Sequence, residues 1–98
     1  MVYKIIWLSH AQQRYREIIG YLEKDWSQKE VENFVRFTND LIGQIEINPL
    51  LFKKISKSGL RQAVLTKHNL ILYRIENDQI QLLTIFDTRQ NPRNKPKF

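Results

Sequence analysis

Residues 58–92 read SGLRQAVLTKHNLILYRIENDQIQLLTIFDTRQNP, and the fold turns on how this stretch is read. It holds three β-rich runs, at 62–65, 70–75 and 80–86, none containing Gly or Pro. Between them, residues 66–69 and the polar quartet Glu76-Asn77-Asp78-Gln79 turn the chain. The middle run, LILYRI, is almost continuously apolar, as a central strand buried on both faces must be. Arg and Lys sit where the strands turn or end. The pattern predicts a small sheet with a cationic edge, left through Asp87-Thr88-Arg89-Gln90-Asn91-Pro92.

Working outward toward the N-terminus, residues 2–8 (VYKIIWL) form another β-rich run. Ser9 with Gln12 and Ser27 with Glu30 make two capping-box patterns, in which a hydroxyl and an amide or carboxylate satisfy the first free helix N–H groups. The first precedes a helix over 10–25, with Ala11, Tyr15, Ile18, Ile19, Leu22 and Trp26 on one face. The second starts a helix over 28–47, striped by Val31, Phe34, Val35, Thr38, Leu41, Ile42 and Ile45. Asn48-Pro49 ends it, because a residue before proline avoids the helical region. So short a turn makes the helices an antiparallel hairpin. Phe37 lies off the stripe, covering a sheet edge or exposed for a partner. Residues 50–60 read as a loop carrying the basic KKISKSG patch.

The expected fold is α+β with the order β-α-α-β-β-β. A helical hairpin packs on one face of a four-stranded, mainly antiparallel sheet. Residues 1–98 form a single domain with a basic tail from about residue 88. The first strand joins an edge or lies beside a strand distant in sequence, and the strand order stays open.

The chain has no cysteine, which excludes disulfides and thiolate zinc sites and fits a reducing compartment. The apolar start at 2–8 is interrupted by Lys4 and too short for a signal or a membrane span. A soluble, cytoplasmic protein is expected. The net charge of +6 is unevenly placed. Residues 1–52 carry six Lys/Arg against seven Asp/Glu, and residues 53–98 carry ten against three. Such asymmetry points to an anionic partner, either nucleic acid or an acidic protein surface. Lys53, Lys54, Lys57, Arg61, Arg74, Arg89, Arg93, Lys95 and Lys97 are the candidate binding residues.

Little else in the sequence carries chemistry. The three glycines, Gly20, Gly43 and Gly59, make no phosphate-binding loop. His10 and His68 are unpaired in sequence, so neither a metal site nor a cofactor site is expected. RNA cleavage without a metal needs a base near the 2′-hydroxyl, a cation on the phosphate and an acid for the leaving oxygen. Arg61, Lys67, Arg74 and Arg89 can supply cations, and His68 is a candidate acid or base. A base–acid pair is not evident. Arg74, in an apolar strand, must reach solvent or a carboxylate, Glu76 or Asp87. Asp87 stands two residues from Arg89 and can pair with it locally.

Five segments together resemble the RelE/ParE superfamily of type II toxin–antitoxin toxins, also labelled plasmid stabilization proteins. They are YKIIWLSHAQQ at 3–13, YLEKDWS at 21–27, INPLLF at 47–52, GLRQAVLTKHNLILYRI at 59–75 and IFDTRQNP at 85–92. The resemblance implies a toxin neutralised by a cognate antitoxin with an acidic or amphipathic segment. It also implies one of two targets. RelE-like members are ribosome-dependent mRNA endoribonucleases; ParE-like members lack nuclease activity and inhibit DNA gyrase. If this chain were a nuclease, Arg61, Lys67, His68 and Arg89 would carry the reaction. However, the central-strand basic position of the nuclease pattern falls near apolar Leu70, and the tail after Arg89 has neither Tyr nor His. The expectation is therefore the ParE-like branch.

Overall fold

Strand β1 (Lys4–Trp7) runs directly into helix α1 (Ser9–Asp25), and α2 (Gln28–Ile47) follows after Trp26 and Ser27. Four strands follow among the described residues: β2 (Lys53–Lys54), β3 (Arg61–Thr66), β4 (Asn69–Glu76) and β5 (Gln79–Asp87). This computed structural model describes residues 2–89. The expected helical hairpin and sheet are both present. Among the described residues no helix is long and apolar enough to cross a membrane.

Among the described residues the sheet has five strands, not four, in the order β1-β5-β4-β3-β2. The added strand, β2, is the Lys-Lys pair inside the segment expected to be a loop. It pairs antiparallel with Arg61 and Gln62 only. Lysine has little β propensity, so backbone pairing alone creates this strand, and a propensity pattern does not register it. The apolar strand β4 is central, as expected. Strand β1 takes the far edge, parallel to β5, with Ile5 opposite Ile80 and Trp7 opposite Leu82.

The first capping box does not form. Leu8, in extended backbone, takes the cap position of α1 and offers no side-chain bond. The reason is continuity with the sheet: Leu8 N–H donates to the Leu82 carbonyl at 3.1 Å, so the helix begins straight off the strand at Ser9. Gln12 instead sends its side-chain amide back to the Trp7 carbonyl at 2.9 Å. The second cap is present: Ser27 Oγ accepts from the Glu30 N–H at 3.3 Å. A cap of this kind stabilises a helix by about 1 kcal/mol.

The main core lies between the hairpin and the sheet. Phe34, Leu41 and Ile45 of α2 meet Ala63, Ile71, Tyr73, Ile80, Leu82 and Ile85. Rings step across three elements here: Trp7 to Tyr15 at 5.1 Å, then Tyr15 to Phe34 at 5.6 Å. Burial raises the Tyr15 phenol above its ordinary pKa. Trp26 departs from expectation. Its spacing puts it on one face with Ala11 and Leu22, yet it is 61% exposed at the hairpin turn.

A bulge explains how β5 serves both sheet faces. Leu72 pairs with Thr84 and Tyr73 with Leu82, so Leu83 is skipped. The side-chain alternation shifts by one at that point. Ile80 and Leu82 before it, and Ile85 after it, all join the main core. Leu83 instead packs with Leu60 and Leu72 in a second cluster, flanked by Leu8 and Ile55.

Candidate functional site

An open groove of about 660 Å³ lies where the hairpin turn faces the ends of β3, β4 and β5. Its walls are Ile18, Tyr21, Leu22 and Trp26 from the first helix and turn, and Asn33, Phe34 and Phe37 from α2. Its floor is Thr66, His68, Asn69, Asp87 and Arg89. Tyr21 is 47% exposed and Phe37 45%. Phe37 thus resolves toward exposure, with the Arg36 guanidinium 5.6 Å over its ring. Exposed aromatics gathered in one concavity suit burial against a protein partner.

The guanidinium groups of this groove are engaged internally. Arg14 pairs with Glu17 at 2.7 Å and also donates to the Ile85 carbonyl at 3.3 Å. Arg89 pairs with Asp87 at 2.9 Å and adds two further bonds to it, one from its backbone N–H. The local pairing anticipated for Asp87 is therefore present. Those bonds from Arg89 hold the Asp87 carboxyl below the usual carboxylate range, and Asp87 in turn raises Arg89. The floor is fixed by Thr88 N–H donating to the His68 carbonyl at 2.8 Å. Thr66 Oγ1 donates to Asn69 at 2.7 Å across the same turn.

Of the four residues named for a nuclease, Lys67, His68 and Arg89 lie together at the groove end of the sheet, and Arg61 stands apart. Arg61 opens β3, at the end of the sheet remote from the groove. Strand β3 has 6 residues, so at ~3.3 Å per step its two ends stand roughly 17 Å apart. Moreover, the Arg61 guanidinium donates to the Phe52 carbonyl at 2.8 Å and the Leu50 carbonyl at 3.3 Å. Those bonds tie down the segment leaving α2. Tyr73, opposite Arg61 in the ladder, ties the same segment through its hydroxyl, which donates to the Pro49 carbonyl at 2.6 Å. Burial pushes the Tyr73 phenol up to about 12, while nearby Arg61 pulls the other way.

His68 is half-buried and Lys67 exposed in the β3–β4 turn. Arg74 is exposed and donates to Gln81 at 2.7 Å, so it uses a neutral amide in place of Glu76 or Asp87. Lys53, Lys54 and Lys57 are exposed and far along the sheet from His68. Arg93, Lys95 and Lys97 lie outside the described residues. Sequence reasoning had no signal for Tyr21, and it misassigned Trp26. The aromatic spacing was legible, but the exposure of these rings depends on how the hairpin turn overhangs the sheet.

A helical hairpin packed on a mixed sheet is a fold seen in solved toxins of toxin–antitoxin systems. In structure the chain is similar to a chain from the chromosomal ParDE system of P. aeruginosa (TM-score 0.75, 14% identity, 90% of this chain and 98% of that one). It is similar to a YoeB/ParE toxin from Agrobacterium tumefaciens (TM-score 0.65, 14% identity, 86% and 96%). It is also similar to a chain of the toxin–antitoxin complex RelBE2 from Mycobacterium tuberculosis (TM-score 0.60, 16% identity, 89% and 99%). No curated protein matches the sequence. Residues 5–92 match the family model for the ParE toxin of the type II toxin–antitoxin system parDE. The chain belongs to that family.

Proposed function

We propose that this toxin inhibits DNA gyrase in the cytoplasm by protein contact, without cleaving RNA, and that a cognate antitoxin neutralises it. One observation carries the reading: Arg61 and Arg89 stand at opposite ends of β3, each already engaged within the chain. General acid–base catalysis needs its groups within hydrogen-bond reach of one substrate. Arg61 lies about one length of β3, roughly 17 Å along the sheet, from the groove that Arg89 lines, and each guanidinium is turned to a partner within the chain. The groove supports the same reading. Its guanidinium groups are neutralised by carboxylates beside them, which leaves aromatic area as its main offering.

An antitoxin segment of amphipathic character fits this groove, with apolar side chains against Tyr21, Trp26 and Phe37. Two of the similar structures come from systems whose names pair a toxin with an antitoxin, ParDE and RelBE2. The test is a supercoiling assay with purified gyrase and increasing amounts of the toxin. Inhibition that disappears on adding the antitoxin is expected. Unchanged supercoiling at large toxin excess, together with A-site mRNA cuts on translating ribosomes, would replace this reading with the ribonuclease one.

A further inference from the structure

The turn that leaves α2 exposes aliphatic side chains where turns ordinarily carry polar ones. Ile47, the last residue of the helix, is 86% exposed. Leu50 and Leu51, on the turn Asn48-Pro49-Leu50-Leu51, are 64% and 72% exposed. A single exposed leucine needs no explanation, but three aliphatics within residues 47–51 make a patch. It lies at the end of α2, whereas the aromatic groove lies at its start. A helix of 20 residues, at ~1.5 Å each, puts about 30 Å between the two.

The patch stays exposed because its backbone is held. Leu51 N–H closes the turn on the Asn48 carbonyl at 3.2 Å, and Pro49 fixes its first corner. From the sheet, the Tyr73 hydroxyl donates to the Pro49 carbonyl, and the Arg61 guanidinium donates to those of Leu50 and Phe52. Four bonds share the hold, so no single one decides it. With these carbonyls drawn toward the sheet, the leucine side chains are left in solvent. A surface fixed in this way loses little freedom when it enters a shaped pocket.

Charge decides the partner. Lys53 and Lys54 follow the patch and Lys57 stands in the next loop, all exposed and with no salt bridge among the described residues. Glu46 is the one acid between Asp40 and Glu76. An apolar centre with a cationic rim fits a protein pocket rimmed by carboxylates. Two copies of this chain would set lysines against lysines, which opposes self-association. A lipid surface is the poorer match, because a pinned turn offers no long amphipathic helix face. The exposed Tyr21 and Trp26, suited to anchoring at a lipid interface, are at the other end of α2.

We propose that Ile47, Leu50 and Leu51, rimmed by Lys53, Lys54 and Lys57, form the surface by which the toxin docks on its target, in an apolar pocket of gyrase edged by carboxylates. The inference rests on gyrase being that target and adds where the toxin touches it. The test compares the full chain with Ile47→Ser/Leu50→Ser and with Lys53→Glu/Lys54→Glu, each checked for folding by circular dichroism. Binding to purified gyrase and inhibition of supercoiling are measured at low and high salt. Both variants should bind and inhibit about tenfold more weakly than wild type. Salt should narrow the deficit of the glutamate variant, by screening its rim, and not that of the serine variant. Should the serine variant not fold, the glutamate variant and its salt series decide. If wild type inhibits gyrase and either variant matches it, the docking surface is overturned and the gyrase reading stands. A wild type that neither binds nor inhibits gyrase overturns that reading, and this surface with it. Binding to phosphatidylglycerol vesicles that the serine variant loses would give the patch to a lipid. A dimer in sedimentation that the same variant dissolves would give it to a second copy. Either result overturns the proposal.

Discussion

Replacing Arg61 with alanine separates a structural cation from a phosphate-binding one. The guanidinium bonds to Phe52 and Leu50 carbonyls, and only the first is short and partly shielded, at 2.8 Å. A charged donor to a shielded carbonyl contributes about 1.5–3 kcal/mol net. The longer, exposed bond adds little. We take about 1.5–2 kcal/mol as the expected loss in Arg61→Ala, which lowers Tm by roughly 6–15 °C in a domain this small. Tyr73→Phe removes the other anchor of this segment, the 2.6 Å bond to Pro49, and leaves that buried carbonyl unpaired at a cost of about 1–3 kcal/mol. Because both residues hold one stretch of chain, the double variant should lose less than the sum. Urea unfolding of the wild type, both single variants and the double variant measures this. Growth arrest at low temperature, where Arg61→Ala stays folded, should persist. A loss below about 0.5 kcal/mol, with growth arrest abolished, would put Arg61 in target chemistry and refute the reasoning.

Other expectations follow from the same contacts. Trp26→Ala should change stability by less than about 0.5 kcal/mol, since the ring is 61% exposed, yet weaken antitoxin binding in calorimetry. Ser27→Ala removes the cap of α2 and should cost about 1 kcal/mol in urea unfolding. Asp87 has a depressed folded pKa, so its stabilising effect is present above the unfolded value of about 3.9 and fades as pH falls through the folded one. The urea midpoint of Asp87→Asn should therefore differ from wild type near neutrality and converge with it at acid pH. Tyr73 has a raised pKa, so the sign reverses. Stability is full below the unfolded value near 10 and falls as pH climbs toward about 12. Ultraviolet titration should show one of the four tyrosines ionising last, and Tyr73→Phe should abolish that step.

The architecture was legible because its signals are periodic. LILYRI is apolar apart from Arg74 and became the centre of the sheet; the α2 stripe from Val31 to Ile45 became the buried face. Two-residue turns closed both hairpins, one through Asn77 at φ 56, a conformation that asparagine accepts more readily than most residues. What escaped was set by tertiary contacts. Lys53–Lys54 is a strand only because β3 offers an edge. Ser9 is no cap because Leu8 stays bonded to β5. Leu83 changes faces through a bulge that no alternation pattern reveals. For the site, sequence found the cations but not their engagement. Arg61 and Arg89 look alike on paper, and distance along β3 separates them.

The central claim is that this toxin acts on gyrase and not on translated RNA. The direct measurement is induction of the intact chain with DNA synthesis and protein synthesis followed in parallel by labelled precursors. Thymidine incorporation is expected to fall first while methionine incorporation continues. An early stop in methionine incorporation, with mRNA cut at the ribosomal A site and replication still running, would contradict it.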